Sequence, residues 1–365
     1  MTAKNDTDRR RVVVGLSGGV DSATAAALLQ QEGYEVHAVA LDTWRAPEAA
    51  SDHLDRARAI AAHLGIPLTE RDLNEAFYTR VVQPFIDAYA AGRTPNPCVF
   101  CNPILKFATL SDEADTLGAR WVATGHYARV AHDNGSSHLL VARAKPKDQS
   151  YALYRLTQPI LRRLLLPLGE MESKAGVRER AEQLGLPAAH ADDSQDLCFV
   201  AGSYHTLLES LRPEALEPGP IFDREGRRLG EHSGLARYTI GQRKGLELSA
   251  PERLYVIALD PERNALIVGP RHALARTACL ITALTFTAGH PPAEQFEATA
   301  RIRYRAPLTP VSITLRDPTT ADVHFSRPQY GVAPGQSLVI YQGEEVLGGG
   351  IIAKGNRQDL NPIRS

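Results

Sequence analysis

The stretch Arg11 to Leu29, RVVVGLSGGVDSATAAALL, decides the fold. Val12, Val13 and Val14 form a β-branched apolar run of the kind buried in a parallel sheet. Gly15-Leu16-Ser17-Gly18-Gly19-Val20-Asp21-Ser22 follows, and then an Ala/Leu run with the composition of a helix. Strand, Gly/Ser turn and helix N-terminus together make an anion site. Glycines let the backbone come close, while free N–H groups and the helix dipole attract negative charge. The spacing is not G-x-x-x-x-G-K-[ST], since no lysine follows to reach a terminal phosphate, nor is it G-x-G-x-x-G. A Gly-rich turn capped by Ser17 or Ser22 is the plainer alternative.

Outward from this stretch, residues 11–125 alternate strand-like and helix-like patterns. Such alternation predicts right-handed crossovers and a parallel sheet covered on both faces. Ligands then sit beyond the carboxyl ends of the strands, where the Ser17–Ser22 loop, Leu41 and Gly125 fall. Residues 92–103, GRTPNPCVFCNP, break the pattern and read as a structured loop carrying Cys98 and Cys101. From about Glu217, Pro and Gly turns punctuate short runs. From about Ala273, short strands at regular spacing predict a small barrel or sandwich. The expected domains are 1–210, 211–272 and 273–365.

The chain has 365 residues, 43% hydrophobic and 23% charged, as in ordinary globular proteins. Residues 1–10 carry no apolar core of a secretory signal, and no apolar run is long enough to span a bilayer. The expectation is a cytoplasmic protein without membrane contact. Net charge is −1, so a nucleic-acid partner would have to meet a local basic patch.

Four cysteines in such a chain are no disulfide scaffold; grouped, they point to redox chemistry or metal. Cys98 and Cys101 are a close pair, Cys198 is distant, and Cys279 in TACLITAL reads as a core thiol. Zinc would want a fourth ligand. Three thiols can hold an iron–sulfur cluster with one iron open, and two can run persulfide and disulfide chemistry. His126 follows a strand end beside the phosphate loop, although a lone His is more often simply packed. Arg301, Arg303 and Arg305 alternate in RIRYR, and Arg243, Lys244, Arg224, Arg227 and Arg228 lie upstream. All are candidate phosphate contacts, but a solvated face satisfies the same pattern.

Ser-Gly-Gly-Val-Asp-Ser resembles the PP-loop, which grips the pyrophosphate of ATP in adenylating enzymes. With GRTPNP…CN, TGHYAR, KDQSY, DSQDLCF, YTIGQRKGL, RYRAP and PGQSLVIY…VLGGGII, nearly the whole chain resembles the tRNA-specific 2-thiouridylases. These bacterial enzymes thiolate the wobble uridine of tRNA. The resemblance implies an α/β PP-loop domain, a small central domain and a C-terminal β-barrel that embraces tRNA. It implies ATP at Gly15, Leu16, Ser17, Gly18, Gly19, Val20, Asp21, Ser22, Leu41 and Gly125. It makes Cys101 the first catalytic thiol and Cys198 the persulfide carrier. Asn96, Pro97 and Cys98 would lie against the target base, and His126, Lys147, Asp148, Gln149, Arg303, Tyr304 and Gln336 would touch tRNA. Two departures stand out: many relatives carry Asp where this chain has Cys98, and Leu41 replaces a usual Met in a segment whose link is shorter and less acidic.

The implied reaction starts with adenylation of the C2 oxygen of uridine, which turns a poor leaving group into AMP. Mg²⁺ balances the phosphates, and Asp21 either helps place it or belongs to the helix start. Sulfur, delivered by a sulfur-relay or cysteine desulfurase protein, arrives as a persulfide on Cys198 and attacks C2. Cys101 then frees 2-thiouridine and forms a disulfide with Cys198. In the other version Cys98, Cys101 and Cys198 ligate a four-iron cluster whose open iron holds hydrosulfide; the cysteine at 98 favours this version for the present sequence. Alternatives are another PP-loop amidotransferase or ligase, and a non-catalytic tRNA-binding module. Arg303→Ala is expected to weaken tRNA binding and lower its salt slope by about one unit; an equal slope in a binding titration would mark a solvated face.

Overall fold

The computed structural model describes residues 10–49, 52–133, 135–191, 197–200 and 202–353. Asp193 to Asp196 of the DSQDLCF stretch lie outside them, as do residues 1–9. β1 (Arg11–Gly15) lies between β2 (Glu35–Asp42) and β4 (Trp121–Ala123), parallel to both. With β3 (Leu68–Asp72) and β7 (Leu164–Leu165) they form a parallel sheet in the order β3-β2-β1-β4-β7. The three valines of β1 are fully buried, as a central strand covered on both faces requires. α1 (Val20–Gln31) buries Ala23, Ala25 and Ala26 beneath it and stops at Gly33, whose φ of +84° suits glycine. The strand order reverses between β1 and β4, so the natural ligand crevice opens at their carboxyl ends.

β8 (Gly219–Phe222), β9 (Arg228–His232), β10 (Tyr255–Asp260) and β11 (Ala265–Gly269) make a small second sheet ordered β10-β11-β8-β9. β12 (Ala275–Phe286), β13 (Gln295–Arg301), β14 (Thr309–Asp317), β15 (Thr320–Tyr330), β16 (Ser337–Gln342) and β17 (Glu345–Ile352) follow in the order β12-β15-β14-β13-β16-β17. Pairing of β12 with β17 closes them into a six-stranded barrel. The architecture is thus an α/β PP-loop-type sheet, a small central domain and a C-terminal β-barrel. Among the described residues no helix is long and apolar enough to cross a membrane.

The units are fused. A hairpin of β5 (Ala128–Asp133) and β6 (Ser136–Val141) leaves the first unit and pairs through Leu140 with Glu345 of β17. One apolar core joins Val13, Phe107 and Leu139 to Val339, Tyr341 and Val346 of the barrel. The KDQSYALY stretch is the clamp between them. Tyr151 Oη donates to Ser337 O at 2.6 Å, and both Tyr151 and Tyr154 are fully buried.

Two expectations need correcting. Cys98 and Cys101 lie not on a loop but on one helical turn, Cys98–Cys101, which Pro97 precedes as N-cap. Proline is compatible with a helix start, since its missing N–H has no intrahelical acceptor there. The RIRYR strand ends at Arg301: Ile302 and Ala306 are buried, and Ala306 N donates to Arg303 O to close a turn. Arg303 and Arg305 therefore do not share a strand face with Arg301, whose guanidinium lies 5.5 Å from the centre of the Tyr341 ring.

Gly349 sits where clamp and barrel meet. A Cβ there would stand 2.4 Å from Leu338 O and 3.0 Å from Tyr154 Cδ2. Gly349→Ala is expected to cost about 1–3 kcal/mol by overpacking, read as a lower denaturant midpoint of the barrel signal. An unchanged midpoint would show that the seam can yield.

Candidate active site

The phosphate loop is held from within. Ser22 Oγ accepts from Ser17 N at 3.1 Å and from Ser17 Oγ at 3.2 Å, and donates to Gly19 O. Gly18 adopts φ +78°, and a Cβ on it would meet His53 O at 2.6 Å. α1 starts after Gly19 with no side-chain cap, so no capping side chain claims its first N–H groups. These features fit a pyrophosphate. Gly125, at the end of β4, packs directly on the Asp21–Ser22 backbone. Asp21 neither caps the helix nor points free: Oδ1 accepts from Tyr127 Oη at 2.8 Å and from Lys174 Nζ at 2.6 Å. Leu41 stands at the carboxyl end of β2 and packs on the core that underlies the crevice.

The thiols come from two directions. Cys98 is half-buried and Cys101 buried on their helical turn, while Cys198 is exposed, and none of the described cysteines is joined in a disulfide. Cys198 is fixed through its neighbours. Arg45 Nη1 donates to Cys198 O at 2.6 Å, Ala46 N donates to Phe199 O, and Phe199 is buried against Phe77 and Phe85. Burial pushes the Cys101 thiol up to about 12, opposed by the charge of Lys106 and reinforced by Cys198 and Cys98. Lys106 carries no signal in the sequence, because it follows Cys101 by five positions and nothing in that spacing marks it. Burial opposes its charge, but Cys101, Cys198 and Cys98 outweigh burial and hold its pKa above the usual lysine value. His126 faces the same group. Burial, then the Lys106 charge, lowers it to about 3, so the imidazole stays neutral at physiological pH. Its Nδ1 lies 2.8 Å from Thr124 Oγ1.

The other expected contacts divide. Asn96 is half-buried and Pro97 buried at the start of the cysteine helix. Arg303, Tyr304 and Lys147 are exposed, with Arg303 beside Gly331. Asp148 is not presented to a partner: it is buried and accepts from Ala142 N, Ser150 N and Ser150 Oγ. Gln149 Oε1 accepts from Tyr127 N, and Gln336 Nε2 donates to Thr94 O, so both tie segments of the chain together. Among the described residues no three His, Cys, Asp or Glu side chains converge to hold a metal ion.

Three family models match in succession: a tRNA methyl transferase HUP domain at residues 10–202, a tRNA methyl transferase PRC-barrel domain at 205–270, and an aminomethyltransferase β-barrel domain at 276–352. The chain is 44% identical over 371 residues to the tRNA-specific 2-thiouridylase MnmA of Roseiflexus sp. (strain RS-1), covering 94% of this chain and 99% of that protein. It is 46% identical over 353 residues to the MnmA of Chloroflexus aggregans, covering 94% and 98%. Among solved structures, a 4-thiouridine synthetase–RNA complex with bound ATP aligns at 17% identity, with a TM-score of 0.35 over 56% of this chain and 50% of that one. With phosphate loop, thiol pair and three-part architecture in one chain, and relatives matched nearly end to end, the protein belongs to the family of the tRNA-specific 2-thiouridylases.

Proposed function

We propose that the chain is a tRNA-uridine 2-sulfurtransferase, which uses ATP to thiolate the wobble uridine at C2 and releases AMP and pyrophosphate. The observation that carries this reading is a buried thiol, Cys101, whose ionisation an exposed thiol, Cys198, opposes from close by, in a chain that also carries a phosphate-type loop. The loop from Gly15 to Ser22 holds the pyrophosphate while the C2 oxygen is adenylated. Asp21 is engaged by Tyr127 and Lys174, so the phosphates themselves would have to supply the ligands of a Mg²⁺ ion, which would balance their charge. Cys198, exposed, takes sulfane sulfur from a sulfur-relay or cysteine desulfurase donor, which buried Cys101 cannot meet. The terminal sulfur attacks C2 and AMP departs. Cys101 then bonds to Cys198 Sγ, and the electron pair of the broken S–S bond leaves with the 2-thiouridine. A cellular dithiol reduces the resulting disulfide, which suits the cytoplasm. His126, Lys147, Arg303 and Tyr304 are the tRNA contacts this reading retains.

A four-iron cluster on Cys98, Cys101 and Cys198 is the second reading, favoured by the third thiol on the same helical turn. Among the described residues the side chains as arranged do not converge on a metal, so no step is assigned to a cluster. An amidotransferase or ligase, or methyl transfer as the family descriptions word it, would leave the thiol pair without a part. Pyrophosphate release that depends on tRNA, with sulfur and not ammonia incorporated, tests the proposal against these.

Ser17→Ala is expected to lower kcat/KM for ATP by about 10- to 100-fold, the worth of a hydrogen bond to a charged group, with tRNA affinity unchanged. Thiolation at the normal rate under limiting ATP would sink that assignment. Among Cys→Ser variants prepared without oxygen, positions 101 and 198 are expected to be inactive and position 98 to retain most activity in iron-free protein. Joint loss of iron and activity in all three would restore the cluster.

A further inference from the structure

Lys106 follows Cys101 by five residues. In an unbroken α-helix that spacing points the two side chains to different faces. Here the backbone widens. Phe107 N donates to Asn102 O, five residues back, so Asn102–Lys106 is a π turn. Pro103 is the local reason: it has no N–H to give to the carbonyl of Val99. The wider turn leaves Lys106 near enough to Cys101 for each charge to act on the other.

The groups that Lys106 feels are Cys101 and Cys98 on its own helix, Cys198 on the segment opposite, and Arg45 from the loop after β2. His126, from the turn after β4, feels Lys106 in turn. None of these is a carboxylate. A half-buried lysine that has no carboxylate partner among the described residues is costly unless something else uses its charge. Among the described residues, the anions that can form around Lys106 are on sulfur.

We propose that Lys106 is a positioning residue for sulfur transfer, its ammonium holding the negative charge on Cys101 as that thiolate attacks the sulfur bridge. The inference rests on the thiolation reading above. The step it serves begins with the enzyme–S–S–C2 adduct left after AMP departs. The Cys101 thiolate forms a bond to Cys198 Sγ, and the bond from Cys198 Sγ to the transferred sulfur breaks. The electron pair goes to that sulfur, which leaves as the thiocarbonyl of 2-thiouridine. The two thiols are thereby oxidised to a disulfide, and the sulfane sulfur is reduced. Burial alone makes the Cys101 thiolate scarce, and Lys106 is the nearby charge that counters it.

The test is a single turnover of persulfide-loaded protein with ATP and tRNA, following AMP and free 2-thiouridine separately. Lys106→Met is expected to release AMP at the wild-type rate and 2-thiouridine about tenfold or more slowly, with the adduct accumulating and KM for tRNA unchanged. Lys106→Arg, which keeps the charge, is expected to restore the second rate to within about threefold. Lys106→Gln replaces the Met variant should that one fail to fold. Wild-type release of 2-thiouridine from the neutral variant overturns the proposal, and so does equal slowing of both products. Cys101→Ser separates the layers. If it traps the adduct while the neutral Lys106 variant does not, only the role of Lys106 falls. If it traps none, the bridge itself is absent and the underlying reading falls with it.

Discussion

The backbone of Gly125 lies against the backbone of Asp21 and Ser22 so closely that no side chain fits between them. That contact locks the end of β4 onto the start of α1. Everything in the crevice is referred to it. The phosphate loop is on one side, His126 is the next residue on the other, and Tyr127 reaches back to Asp21. Lys174 completes the joint from a distant helix. The loop is therefore stiffened by groups that need not touch a nucleotide.

Around this joint the two thiols are given opposite settings. Cys101 sits in a core with Phe77, Val81 and Phe85, where water is excluded. Cys198 stands out in solvent, its backbone pinned by Arg45 and its neighbour Phe199 buried. In the proposed reaction, a thiol loaded by a donor protein has to be reachable, whereas one that completes the reaction profits from dryness, where a nearby charge acts through a low dielectric. One chain supplies both because adjacent residues, Cys198 and Phe199, have opposite fates.

The sheet, the phosphate loop and the barrel strands were legible because hydrophobic period and glycine placement are local signals. The hairpin β5–β6 was also legible in principle: Asn134-Gly135 between ARVAHD and SSHLLV is a strong turn signal. The cysteine segment misled because three prolines argue against helix when counted, yet Pro97 starts one and Pro103 is absorbed by a π turn. RIRYR misled because the alternation of arginines continues past the point where Ile302 must turn into the core. Asp148 and Gln336 look like surface polar residues in sequence, and only tertiary contacts show that backbone groups claim them. Lys106 was invisible for the same reason, since its neighbours come from four separate segments.

The pairing of Glu345 with Leu140 bears on how the chain assembles. β17 bonds to β12 and β16 within the barrel and also to β6 of the first unit. During synthesis the hairpin emerges some two hundred residues before its partner strand, a separation given by Leu140 and Glu345 themselves. Until β17 arrives, the hairpin edge and the barrel seam are both open. Contacts so remote in sequence form slowly, and exposed edges invite pairing with other chains. The last described strand is thus the keystone of assembly, and ribosome-bound intermediates that lack it carry two unsatisfied edges at once.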